Sequence, residues 1–263
     1  MLRYLPGDVE ITDIIDREAI IRVRPDIVIG HYGLTSFQPY WAFISPKAVI
    51  TEYVDEPTIS YFTERDVIFS YNDAAVAGLK SRGFNACLWP RPVDSSIFYN
   101  ENKSRDIDVL CVGKHGDFSN RAMTLTENLG KVYLEVTDLP VGGGDDALRD
   151  FYNRSKYVLS YQDLWEYSTG HFSCGYEVAN AEAAFCGAIP IVPASPFCGY
   201  LKHWFGNFCH WARHICFEKD LADILDYDYA PLDQDTIALA VERFDAPVVW
   251  SQFWDTISEV LGS

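Results

Sequence analysis

Gly175-Tyr-Glu-Val-Ala-Asn-Ala-Glu-Ala-Ala-Phe-Cys-Gly-Ala-Ile-Pro-Ile-Val192 is the stretch that decides the fold. It reads as a helix from about Glu177 that stops at Gly187, where a glycine suits the left-handed cap, and then feeds a buried apolar strand through Pro190. The same alternation extends outward on both sides. Short β-branched runs recur at Asp26–Gly30, Ala48–Tyr53, Val67–Ser70, Asp106–Val112, Val132–Val136, Tyr157–Ser160 and Ile189–Val192. Helix-period stretches lie between them at Asp73–Ser81, Arg121–Leu129, Asp145–Ser155, Glu177–Cys186 and Asp233–Arg243. Near-continuous apolar strands alternating with helices predict an α/β protein whose parallel sheets are covered on both faces.

The 263 residues are 48% hydrophobic and 15% aromatic, which excludes a disordered chain and suffices for one large α/β domain or two modest ones. Against 21 basic side chains stand 38 acidic ones, a net charge of -17. A protein that neutralises many phosphates needs a Lys/Arg surplus, so no nucleic acid partner is expected, and anionic membranes are disfavoured for the same reason. The excess is uneven. Residues 1–104 carry 10 basic and 14 acidic groups, and residues 105–263 carry 11 and 24. Any anion site in the second half is therefore a local basic pocket inside an acidic shell.

Seven cysteines form an odd set with no Cys-x-x-Cys pair, and Met-Leu-Arg-Tyr-Leu-Pro at the start is no secretory leader. Reduced thiols in a cytoplasmic protein are the expectation. No apolar stretch approaches 18 residues, so no transmembrane span is expected. A domain boundary is suggested over residues 89–105. There Trp89-Pro-Arg-Pro-Val-Asp94 holds the chain extended and Asn100-Glu-Asn-Lys-Ser-Arg105 has little to bury, which reads as a hinge. Near the end, Val249, Trp250, Phe253, Trp254, Ile257, Val260 and Leu261 share one face of an amphipathic helix.

Glu182-Ala-Ala-Phe-Cys-Gly-Ala-Ile-Pro-Ile-Val192 resembles the Glu-Ala-x-x-x-Gly-x-Pro-(Val/Ile)-Val signature of GT-B glycosyltransferases like those of family 4, with one residue added before the proline. Other likenesses follow in the family's order. Arg24-Pro-Asp-Ile-Val-Ile-Gly-His31 resembles its Pro-Asp strand ending in histidine, and Trp89-Pro-Arg-Pro-Val-Asp-Ser-Ser-Ile-Phe98 is similar to its interdomain segment. Asp106-Ile-Asp-Val-Leu-Cys-Val-Gly-Lys114 resembles the first strand and glycine turn of the donor domain. The resemblance implies two Rossmann-like parallel-sheet domains facing a cleft. These are an abbreviated acceptor-side domain over 1–98, a donor domain over 99–244 and a helix over 245–263 that crosses back to the first domain.

The implied function is a metal-independent, hexosyltransferase-like glycosyltransferase. It would move a sugar from a nucleotide-diphosphate-sugar donor to an unidentified glycan, lipid or protein acceptor, with retention and with no cofactor beyond the donor as co-substrate. The leaving diphosphate gains charge in the transition state, so fixed cations and N–H donors must face it. By resemblance, Lys114 and Arg121, after Gly113, face the diphosphate. Glu182 holds the ribose hydroxyls, and His31 lies near the transferred sugar. Backbone N–H groups around Gly175 and Tyr176 add a helix N-terminus, worth roughly 0.3–1 kcal/mol or more when partly buried.

Cys174 occupies the position of the family's usual first glutamate and is a poor acceptor; Glu177 lies nearby but not equivalently. Spore-maturation-type glycosyltransferases, which the Asn120-Arg121 pair also resembles, lack that glutamate too. A different class remains open at this point, a catalytically silent module of the same fold that binds a nucleotide, glycan or protein. Two further clusters invite a metal or phosphate. His210 and His214, four apart on a possible helix beside Cys209 and Cys216, fit no established zinc spacing. Gly142-Gly-Gly-Asp-Asp146 lacks phosphate-loop spacing and reads better as a loop ending in a helix cap.

Overall fold

The computed structural model describes residues 27–31, 46–51, 59–113, 117–136, 144–159, 175–193, 199–206, 208–212 and 217–262. The chain divides into two compact units, Met1–Pro90 together with Pro247–Ser263, and Arg91–Ala246.

The first unit contains strands β1 (Val28–His31), β2 (Lys47–Ile50), β3 (Val67–Ser70) and β4 (Asn85–Leu88), paired in that order and all parallel. Helix α1 (Asp73–Ser81) links β3 to β4. Asn72 caps it by accepting from Ala75 N at 3.1 Å, which satisfies one of the free first-turn donors, and Gly83 at φ 87° turns the chain away. Because strand side chains alternate, Ile68 and Phe69 serve opposite faces of the sheet. Val49, Ile68 and Ala86 pack with Val76 and Leu79 of α1 and with Ile59 and Phe62. Phe69 instead meets Phe253, 4.4 Å between ring centroids, and Trp89 meets Trp250 at 5.3 Å. Both partners belong to the C-terminal helix α8 (Ala246–Gly262), whose Val249 carbonyl accepts from Trp89 Nε1 at 3.0 Å.

One polar pair lies within this unit. The Lys47 ammonium and the Asp66 carboxylate are both fully buried, 2.7 Å apart. Lys47 Nζ also donates to Tyr61 O at 2.6 Å, and Asp66 accepts from Lys47 N, Thr63 N and Thr63 Oγ1 at 3.0, 2.6 and 3.0 Å. A buried charge is tolerable when both its partner and its hydrogen bonds are supplied.

The second unit holds β5 (Ile107–Val112), β6 (Tyr133–Val136), β7 (Ser155–Leu159), β8 (Ile189–Pro193) and β9 (His210–Ala212) in one parallel sheet of order β6-β5-β7-β8-β9. Helices α2 (Asp117–Asn128), α3 (Gly144–Arg154), α4 (Gly175–Phe185), α5 (Gly199–Phe205), α6 (Phe217–Asp226) and α7 (Gln234–Phe244) accompany it. On one side Val109, Tyr157, Leu159, Ile189 and Ile191 pack with Ala122 of α2 and with Phe217, Leu221 and Leu225 of α6. On α4, Gly187 takes φ 76°, the left-handed cap its sequence position predicts. A Cβ there would come within 2.8 Å of Arg105 Nη2 and 3.0 Å of Asn100 Nδ2.

Three differences from the sequence expectations have physical causes. Within the hinge expected over residues 89–105, residues 100–105 are fastened to the second unit. Glu101 N donates to Asn153 Oδ1 at 2.6 Å, Lys103 pairs with Asp150, and Arg105 donates to the carbonyls of Tyr152, Ser155 and Cys186. Residues 91–98 also join this unit rather than the first. Val93 N donates to Phe244 O at 2.8 Å, Ala246 N donates to Val93 O at 2.7 Å, and Arg149 holds the Ile97 carbonyl at 3.0 Å. His210 lies in strand β9, not on a helix, so no helical spacing connects it to His214, which falls outside the described residues.

Candidate functional site

In the sheet order β6-β5-β7-β8-β9, the direction of winding reverses between β5 and β7. In open parallel sheets, the crevice outside the carboxyl ends at such a reversal is where ligands bind. Of the residues expected to hold the donor, Gly113 lies at this edge. Gly113 directly follows β5, at φ 115°, a conformation that side chains with a Cβ rarely adopt, and its N–H donates to Val136 O at 3.1 Å. Lys114 comes next and lies outside the described residues. Gly175, Tyr176 and Glu177 form the first turn of α4, with their side chains outside the described part, as is Cys174 altogether. The backbone of His31 pairs with Ile50 at the end of β1 in the first unit; its side chain is likewise outside the described part.

Arg121 is described, and its engagement differs from the expectation. From α2 its guanidinium pairs with Glu218 of α6 and lies 5.6 Å over the Phe217 ring. A cation already neutralised by a carboxylate is a weaker diphosphate ligand than a free one. The expected Arg121 role therefore requires Glu218 to release it.

Glu182 sits two turns into α4 and is partly buried. Its Oε2 accepts from the hydroxyl of Tyr152 on α3 at 3.0 Å. Burial lifts its carboxyl to about 7, against the lowering effect of the Tyr152 hydrogen bond, and the charge of Asp145 pushes the same way as burial. The next-turn Cys186 thiol is pushed up to about 12 by burial and by Glu182. A carboxyl that changes charge near neutrality is a recognised mark of a functional position. The Tyr152 contact was not read from the sequence. The one available signal was Leu148 and Tyr152 on one face of an expected helix, which is an ordinary core pattern; both are in fact buried.

Two cavities of the second unit lie elsewhere. One of about 240 Å³ is lined by Asp108, Lys131, Lys156 and Tyr229, and one of about 450 Å³ by Ile189, Phe208, His210 and Leu232; both share Tyr157, Tyr227 and Asp228. Ile189 and His210 are the first residues of their strands and Asp108 the second of its own, so both hollows lie towards the edge opposite Gly113. Among the described residues, no group of three or more His, Cys, Asp or Glu side chains could hold a metal ion, and no helix is long and apolar enough to cross a membrane.

Two parallel α/β units of this kind define a glycosyltransferase-like, GT-B-type fold. The chain is similar to the solved structure of AviGT4, a glycosyltransferase involved in avilamycin A biosynthesis, over 93% of this chain and 77% of that one, with a TM-score of 0.60 and 13% sequence identity. No protein-family model and no curated protein sequence matches it.

Proposed function

We propose that the protein is a glycosyltransferase that binds a nucleotide-diphosphate sugar at the carboxyl edge of the second unit's sheet and transfers the sugar to an acceptor. The observation that carries this is Glu182. It is a partly buried carboxyl on the helix whose sequence resembles the donor-binding signature, and one oxygen is held by Tyr152. The likeness to a glycosyltransferase structure supports the same function. Glu182 accepts from the ribose hydroxyls, backbone N–H groups of the α4 first turn face the diphosphate, and Lys114 and Arg121 balance the charge that develops on it. His31 belongs on the acceptor side, and family 4-like or spore-maturation-type ancestry accounts for the signature with Cys174 in place of a glutamate.

The neutralised Arg121 favours a second possibility, a binding module without turnover. A thermal-shift panel of UDP-, GDP-, ADP- and TDP-sugars tests both. Stabilisation by one nucleotide class is expected, about 2.7 kcal/mol at a hundred times the dissociation constant, with slow donor hydrolysis. Glu182→Ala abolishes the shift. Stabilisation without hydrolysis selects the module, and no response to any nucleotide rejects both.

A further inference from the structure

Tyr152 takes no part in the sequence signature, yet its side chain is fully buried, and its hydroxyl donates to Glu182 Oε2 at 3.0 Å. A phenylalanine would fill the same apolar wall, in edge contact with Phe98 at 6.1 Å, without a polar group to satisfy. The hydroxyl is therefore accounted for by the carboxyl it meets.

The surroundings hold that contact rigid. Arg105 donates to the carbonyl of Tyr152 at 3.1 Å and, from its other terminal nitrogen, to the carbonyl of Cys186 at 2.8 Å, one turn beyond Glu182. One guanidinium thus ties the end of α3 to the end of α4. The neighbouring Asn153 adds bonds to Tyr99 O and Glu101 N. Glu182 Oε1, by contrast, makes no hydrogen bond to any described residue.

We propose that Tyr152 is a positioning residue that acts through Glu182: clamped between α3 and α4, its hydroxyl holds Oε2 so that Oε1 is presented as an acceptor to the vicinal diol of a ribonucleotide. This rests on the nucleotide-sugar function proposed above. The groups that act on the Glu182 carboxyl are Tyr152 and Asp145, both of α3; no charged group of α7, which packs against α4, acts on it among the described residues. Burial and Asp145 favour the protonated carboxyl, and the Tyr152 hydroxyl favours the carboxylate. A carboxylate accepts from hydroxyls in charge-assisted bonds about twice as strong as neutral ones. The grip on the diol therefore strengthens as pH rises through neutrality.

Titration calorimetry of the full chain with UDP, GDP and ADP, and with their 2′,3′-dideoxy counterparts, at pH 6 to 8.5 isolates the ribose. Wild type is expected to prefer the ribonucleotide, and the preference to grow about fivefold to tenfold across that range. In Tyr152→Phe the preference falls several-fold at pH 7, its midpoint moves to higher pH, and it recovers towards pH 8.5. A structural loss alone would lower affinity for both nucleotides and leave the midpoint in place. Glu182→Gln flattens the profile, which keeps the test open should Tyr152→Phe fail to fold. Ribonucleotide binding with an unmoved midpoint in Tyr152→Phe overturns this inference alone, whereas an unchanged profile in Glu182→Gln removes the ribose role of Glu182 and this inference with it. Absence of binding by wild type to every nucleoside diphosphate overturns the functional reading and this inference with it.

Discussion

The buried polar pair of the first unit and that of the second are built to opposite ends. Lys47 and Asp66 lie fully buried, and the oxygens of Asp66 receive the ammonium, two backbone N–H groups and a hydroxyl. Glu182 receives one hydroxyl on one oxygen, and the other has no described partner. The first arrangement is complete and leaves nothing for a ligand to satisfy. The second is held on one side and open on the other, as expected of a group that orients a substrate. Saturation of hydrogen bonds distinguishes these two carboxyl groups more clearly than burial does.

The largest effect should come from breaking the complete pair. Asp66→Ala leaves the Lys47 ammonium buried without its counter-ion and is expected to cost about 3–5 kcal/mol, read as a lower urea midpoint. A loss below about 1 kcal/mol would mean that the pair relaxes into water and is no different in kind from a surface bridge.

An effect of intermediate size, and of the opposite character, is expected at Glu182. Its folded-state value, about 7, lies above the ordinary 4.5. Between these values the native protein holds a proton that the unfolded chain has released. The stabilisation is therefore complete below pH 4.5 and is lost as pH rises through about 7, an amount on the order of 1–3 kcal/mol. Glu182→Gln should remove that slope from stability measured against pH, so that the variant overtakes wild type in relative stability towards pH 8. Identical slopes would place the Glu182 carboxyl in ordinary solvent.

The smallest effect belongs to the exposed pair. Glu218→Gln should cost under about 1 kcal/mol of stability while removing the carboxylate that pairs with Arg121. Affinity for a nucleoside diphosphate is expected to rise or hold, and to fall in Arg121→Ala. A rise that persists when both substitutions are combined would take Arg121 out of the site.

Much of this protein was legible without coordinates where the signal was local. The strand at Val67–Ser70 is apolar but for its last residue and buried along its whole length, and β5 and β8 follow runs read as buried strands. Asp145 and Asp146 fall in the first turn of α3, and α8 presents Trp250 and Phe253 on one side. What was missed has weak local signal. Strand β4 is Asn-Ala-Cys-Leu and β9 only His-Trp-Ala, neither rich in β-branched residues, and each exists through pairing with β3 or β8. The polar run at 100–105 looked unanchored because its partners, Asp150, Tyr152, Asn153, Ser155 and Cys186, are 47 to 81 residues further on.

The amino-acid sequence by itself determined the α/β class, the glycine caps and the signature helix carrying Glu182, because periodicity, left-handed turns and buried apolar runs are properties of neighbouring residues. Only the tertiary structure decided which charges are already answered. Arg121 meets Glu218, 97 residues away, and Glu182 meets Tyr152, 30 residues away. Electrostatic and hydrogen-bond energies depend on distance in space, which the spacing of residues along the chain does not contain.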